Sequence, residues 1–202
     1  MFSKKFRPII LAGGSGKRLW PLSTKEKPKQ FLELFGDLSP FDLTIQRINN
    51  TNLFSKPIIV TSERYLPLVE DSLAKTGVEV EKIILELESK NTFTALVLPV
   101  LTLIQKSKPK NERYITMPSD HYIPFNKSFY ENCCVIRDQF QKNALTLMGV
   151  SPDKASTEYG YISYESSYIS SYFLNIFKIY ITIFGRSTNS NNCNFRTTKC
   201  LI

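Results

Sequence analysis

The sequence is poor in the residues that build metal and disulfide scaffolds. Its 202 residues include one histidine and four cysteines, with no C-x-x-C pair among them. Ligands that sparse argue against a zinc site. Cys133 and Cys134 are adjacent while Cys193 and Cys200 stand far off, which is no disulfide framework; neighbouring cysteines are expected to pack as small apolar residues in a reducing cytoplasm. Residues 1–7 carry two lysines and an arginine but no apolar stretch of signal-peptide length, so no export signal is expected. Long hydrophobic runs are scarce as well. Residues 168–184 are about the minimum length for a membrane span and hold Asn175 and Lys178, so a strand pair is the expectation and membrane attachment is not. Acidic residues number 18 against 26 lysines and arginines, a formal net charge of +8. The basic residues are nevertheless scattered, and their densest cluster, Lys25, Lys27 and Lys29, is interleaved with Glu26 and Pro28. No nucleic-acid surface is expected, whereas a cleft that attracts small polyanions suits the balance.

What is present is enough for one globular domain with a core: 42% of residues are hydrophobic and 22% charged. Short β-rich runs alternate with longer helical patterns, the signature of βαβ units in a mostly parallel sheet of an α/β fold. Strands are expected at residues 7–11, 56–61, 82–86, 114–117 and 144–150. Between the second and third, Leu66, Val69, Leu73 and Ala74 recur at helical spacing, and Gly77 supplies the stop. Asn91 and Thr92 stand as N-caps before an apolar stretch to residue 104, which Pro99 should kink or divide. A further helix is expected at residues 129–140.

The first strand runs into Leu11, Ala12, Gly13, Gly14, Ser15, Gly16, Lys17, Arg18, Leu19, Trp20, Pro21 and Leu22. A glycine-rich turn there leaves backbone N–H groups unobstructed for a phosphate, and a following helical turn adds its positive end. The bland alternative is a tight turn whose glycines merely accept positive φ. Two familiar glycine patterns are excluded by spacing. The Walker pattern needs glycine at position 11 and Ser or Thr at 18, where Leu11 and Arg18 stand; the dinucleotide fingerprint needs glycine at 19, where Leu19 stands.

The run Gly-Gly-Ser-Gly-Lys-Arg-Leu-Trp-Pro-Leu-Ser, followed by Lys-Pro-Lys-Gln-Phe-Leu, resembles the signature of bacterial mannose-1-phosphate guanylyltransferases, a branch of the sugar-1-phosphate nucleotidyltransferases. Trp20 and the series Pro28, Lys29, Gln30, Phe31 favour the mannose branch. Lys17 replaces the usual threonine. The resemblance implies a three-layer, mostly parallel sheet with helices on both faces, a Rossmann-like nucleotidyltransferase fold, here incomplete. It implies an enzyme that transfers GMP from GTP to mannose 1-phosphate, giving GDP-mannose and pyrophosphate with Mg²⁺ as cofactor; a homo-oligomer is compatible with it. Ala12, Gly13, Gly14, Ser15 and Gly16 would cradle the nucleotide, Arg18 would contact the triphosphate, and Lys29 would bind phosphate oxygens near the reacting centre. Each cation alone reads equally as a solvated surface charge.

Three later segments match the same family in order. Residues 86–92 (Glu-Leu-Glu-Ser-Lys-Asn-Thr) resemble its Glu-Pro-x-x-Arg-Asn-Thr segment, with Lys90 in place of arginine; Asn91 is a nucleotide contact by resemblance and a plain helix cap otherwise. Residues 118–121 (Pro-Ser-Asp-His) resemble its Pro-x-Asp-His segment. A carboxylate at the carboxyl end of a parallel strand points into the ligand crevice of α/β sheets, making Asp120 the expected Mg²⁺ ligand, with His121 orienting the loop. Residues 159–162 (Tyr-Gly-Tyr-Ile) resemble the family's sugar-side segment, which assigns Gly160 to the sugar, or else leaves it an ordinary strand glycine.

After residue 162 the family would continue to a Glu-Lys-Pro lysine, an Asn-Ser-Gly turn and a second metal-binding aspartate. Residues 163–202 contain none of these, no aspartate and no proline. The expected organisation is therefore an amino-terminal nucleotidyltransferase part at 1–162 and a divergent or frameshifted tail at 163–202, with impaired turnover. The alternatives are an inactive nucleotide-binding fragment or a nucleotidyltransferase for another base and sugar.

Overall fold

Apolar residues in an unbroken run become a strand buried on both faces, and the first two strands follow that rule. In the computed structural model, β1 (Phe6–Leu11) buries Ile9 and Ile10, and β2 (Ile58–Ser62) buries Ile58, Ile59 and Val60. The described residues are 5–14, 19–86, 97, 99, 101, 112–123, 127–139, 146–150, 160–163, 176–178 and 198–201. They fall into two units, Met1–Asn126 and Lys127–Ile202.

The first unit is an α/β sheet of four parallel strands in the order β3-β2-β1-β4, with β3 at Lys82–Glu86 and β4 at Arg113–Pro118. β1 sits inside, pairing Ile9 with Ile58 on one side and with Thr116 on the other. The edge strands β3 and β4 are less buried, as partners on one side only require. Helix α1 (Pro40–Arg47) connects β1 to β2, and α2 (Leu66–Thr76) connects β2 to β3 and packs on α1. Ser39 caps α1: its hydroxyl accepts from the Asp42 N–H at 3.1 Å while the Asp42 carboxylate accepts from the Ser39 N–H at 2.8 Å. α2 stops at Gly77, φ 66°, whose N–H donates to the Leu73 carbonyl at 2.9 Å. After β3 the strand order places β4 on the opposite flank of β1. Val97, Pro99 and Leu101, between β3 and β4, are helical, and the kink expected at Pro99 falls among residues outside the described ones.

The amino ends of the strands are tied by Arg7. Its guanidinium donates to both oxygens of Glu112 at 2.9 and 2.7 Å, to Glu81 at 2.9 Å and to the Lys56 carbonyl at 3.1 Å. These hydrogen bonds, ahead of the charge attraction, hold the Glu112 carboxyl below its ordinary value.

In the second unit, α3 (Lys127–Gln139) buries Phe129, Asn132, Cys133 and Ile136, a single face by spacing. Cys133 is buried and Cys134 half-buried, the apolar role expected of them. Its sheet has the order β6-β8-β5-β7, with β5 at Thr146–Val150, β6 at Gly160–Ser163, β7 at Ile176–Lys178 and β8 at Thr198–Leu201. Every pairing in it is antiparallel. The strand expected at 144–150 therefore forms but is not a member of the parallel sheet; antiparallel neighbours need no crossover helix, and residues 163–202 have no helical period to provide one. Residue 162 lies inside β6, in a sheet that draws strands from both sides of it. No described helix is long and apolar enough to cross a membrane.

Candidate active site

The strand order creates the crevice. The chain leaves β1 toward β2 and β3, then returns to β4 on the other flank of β1, so the carboxyl ends of β1 and β4 are a topological switch point. Two sequence-singled segments meet there. Ala12, Gly13 and Gly14 leave β1, and Ser119 and Asp120 leave β4; the Ser119 N–H donates to the Leu11 carbonyl at 3.2 Å, holding the two exits together.

The turn after β1 is held from below by its backbone. The Ala12 N–H donates to the Val60 carbonyl at 2.8 Å. The Ala12 carbonyl accepts from Thr61 Oγ1 and from Gln30 Nε2, each at 3.3 Å, and the same Gln30 nitrogen donates to the Gly14 carbonyl at 2.7 Å. A Cβ at position 13 would lie 2.8 Å from Glu86 Oε2 at the end of β3, so any larger residue there would displace the tip of that side chain. Burial raises the Glu86 carboxyl above its ordinary value.

Across the crevice, Lys29 sits in a 3-10 turn at Lys29–Phe31, and its Nζ is 3.6 Å from Asp120 Oδ2. Both side chains are part-exposed, at 33% and 42%. An ammonium and a carboxylate thus face the same opening beside the glycine turn, and neither is consumed by a short contact. His121 Nε2 stands 3.7 Å from Asp120 Oδ1, and His121 Nδ1 is buried without a hydrogen-bond partner. Burial first, then Lys29 and Arg47, push the imidazole below the ordinary histidine value, against the pull of Asp120. That direction favours the neutral imidazole at pH 7. The loop is pinned from α1, where the buried Arg47 donates to the Ile123 carbonyl at 2.9 Å, and by stacking of Tyr122 on Phe35 at 4.7 Å.

Of the sequence-assigned residues, the structure brings together Ala12, Gly13, Gly14, Lys29 and Asp120. Ser15, Gly16, Arg18 and Asn91 lie outside the described residues. Gly160 opens β6 in the second unit, opposite Leu201. Sequence reasoning assigned no role to Gln30, Thr61 or Glu86; the only signal for Gln30 was its place beside Lys29 in the Pro-Lys-Gln-Phe run.

Residues 7–174 match the family model of nucleotidyl transferases. The chain belongs to the nucleotidyl transferase family. Over 155 residues this nucleotidyl transferase is 33% identical to the alginate biosynthesis protein AlgA of Pseudomonas aeruginosa, covering 77% of this chain and 32% of that protein. Over 162 residues it is 35% identical to the mannose-1-phosphate guanylyltransferase of Escherichia coli, covering 80% and 34%. It thus spans about a third of the length of the curated relatives it matches. Among solved structures, a mannose-6-phosphate isomerase from Helicobacter pylori aligns with a TM-score of 0.71 at 25% identity, over 98% of this chain and 68% of that one. A mannose-1-phosphate geranyltransferase from Thermus thermophilus aligns at 0.66 and 26%, over 79% and 45%. The four-stranded parallel sheet is therefore that of a nucleotidyl transferase fold.

Proposed function

We propose that this chain carries the nucleotide half of a mannose-1-phosphate guanylyltransferase site, in which GMP passes from GTP to mannose 1-phosphate. An oxygen of the sugar phosphate forms a bond to the α-phosphorus, the bond from that phosphorus to the bridging oxygen breaks, and pyrophosphate leaves; the products are GDP-mannose and pyrophosphate. The observation that carries the reading is the pairing of Lys29 and Asp120 across the crevice from the Gly13 backbone. A polyanion needs a cation and free amides on one side, and a hard cation needs an oxygen ligand on the other.

Mg²⁺ fits the donors present. Asp120 offers one carboxylate, the number with which Mg²⁺ commonly binds when phosphates and water complete its shell. When bound, the ion neutralises charge on the reacting phosphates. Lys29 binds phosphate oxygens, the glycine turn orients them, and His121 keeps the Asp120 loop in place without carrying charge.

Thermal melting of the 202-residue chain with GTP, UTP, dTTP and CTP, each with and without Mg²⁺, tests the reading. Ligand at a hundred times its dissociation constant adds about 2.7 kcal/mol of stability. GTP should raise the melting temperature most, and Mg²⁺ should enlarge that rise in the parent but not in Asp120→Ala. A larger rise with UTP, dTTP or CTP overturns the base assignment; an undiminished Mg²⁺ effect in Asp120→Ala overturns the role of Asp120.

A further inference from the structure

We infer that Gln30 is a positioning residue for phosphate binding, its side-chain amide presetting the glycine turn so that the Gly13 N–H faces the ligand; this rests on the nucleotide-binding reading above. Gln30 is buried, with 2% of its surface exposed. It occupies the middle of the 3-10 turn Lys29–Phe31. With about three residues per turn, successive side chains of such a turn point roughly 120° apart. Lys29 accordingly reaches Asp120, Gln30 reaches the glycine turn, and Phe31 enters the core against Phe41 at 5.1 Å and Tyr65 at 6.2 Å. Three residues thus couple the core, the backbone cradle and the phosphate-side cation.

A buried amide that needed only to be satisfied could use any acceptor. Gln30 instead donates to two carbonyls of one turn, those of Ala12 and Gly14. With Thr61 Oγ1 on the Ala12 carbonyl too, that oxygen is approached twice from inside the fold. A trans peptide is planar, so the Gly13 N–H points opposite to the Ala12 carbonyl and away from both side chains. No backbone acceptor among the described residues meets it. Glycines are otherwise free to turn over, and that freedom would have to be lost each time a ligand bound. Gln30 removes it in advance.

Two variants of the 202-residue chain test this, read by calorimetric titration with GTP and Mg²⁺ and by the amide resonances of Gly13 and Gly77. In the parent, GTP should move the Gly13 amide and leave Gly77, at the end of α2, unmoved. Gln30→Met keeps bulk but removes both donors; it should weaken GTP binding about ten- to hundredfold, on the order of tenfold or less per lost hydrogen bond, and abolish the Gly13 shift. Gln30→Glu should show a pH profile. Its protonated carboxyl donates to one carbonyl, whereas its ionised form faces two, so variant affinity relative to the parent at the same pH should fall between about pH 5 and 8. Should Gln30→Met fail to fold, that ratio decides alone. Parent-like affinity in Gln30→Met, or a flat ratio in Gln30→Glu, overturns the inference while the nucleotide reading stands. A parent that binds no nucleoside triphosphate overturns both.

Discussion

Lys29 and Asp120 lie 3.6 Å apart at a part-exposed surface, where an ion pair contributes about 0 to 1 kcal/mol. Stability gives little reason for the pair; the proposed nucleotide site supplies one. Lys29→Ala should therefore leave the unfolding free energy within about 0.5 kcal/mol of the parent while weakening GTP binding by roughly 1.5 to 3 kcal/mol, the worth of a charge-assisted contact. Denaturant melts beside titration calorimetry separate the two, and an equal loss in both would make Lys29 a structural residue. His121 should report through pH. Its folded value is depressed by burial, so its contribution is present above the ordinary value of about 6.5 and is lost as pH falls through the folded one. Between pH 7 and 5 the parent should lose more stability than His121→Asn; Glu86, whose raised carboxyl favours the fold at lower pH, is common to both chains and cancels. Parallel pH curves would refute the depressed imidazole. At this scale the sequence made Lys29 and Asp120 legible, because a cation near glycines and a carboxylate after a parallel strand have chemical meaning in one dimension. Gln30 and Thr61 were not legible. Their partners are backbone carbonyls 18 and 49 residues away, and any buried amide or hydroxyl would look the same in the chain.

Elements were legible where a local rule ends them. The third strand, expected at 82–86, forms at Lys82–Glu86, and the helix with Leu66, Val69 and Leu73 on it stops at Gly77 as the glycine demanded. A Cβ at Gly77 would meet nothing within 4 Å, so only backbone conformation opposes substitution. Gly77→Ala should cost about 1 to 2 kcal/mol in a denaturant melt, and a neutral result would show that α2 ends by another means. Helix α1 carried a readable start, Ser39 with Pro40 and Asp42 behind it, that sequence reading did not use. The second strand begins at Ile58 rather than 56, since Pro57 has no N–H for a ladder. The direction of β5 was beyond reach for a different reason: a strand's composition fixes its faces, while its neighbours fix whether it runs parallel.

For the molecule as a whole, the two halves of the proposed reaction are unequally represented. The glycine turn, Lys29 and Asp120 share one unit, while Gly160 lies in the other and no Glu-Lys-Pro lysine or second aspartate occurs after residue 162. Phosphoryl transfer depends on positioning and charge stabilisation almost alone. The 202 residues by themselves should bind GTP yet release pyrophosphate far more slowly than the usual range of about 1 to 1,000 per second; a coupled assay with GTP, Mg²⁺ and mannose 1-phosphate that reached that range would refute this. The strand order has a consequence for synthesis. β1 is made first but pairs on both flanks with strands made later, and Leu11 finds Pro118 only after 107 further residues (118 − 11). At about 5 to 20 residues per second the ribosome needs roughly 5 to 20 seconds to add them. Through that interval a nascent chain holding β1 and β2 presents one flank of β1, with its buried Ile9 and Ile10, unpaired, so the crevice between β1 and β4 is the last part of this sheet to close and an edge that a chaperone's cover would protect.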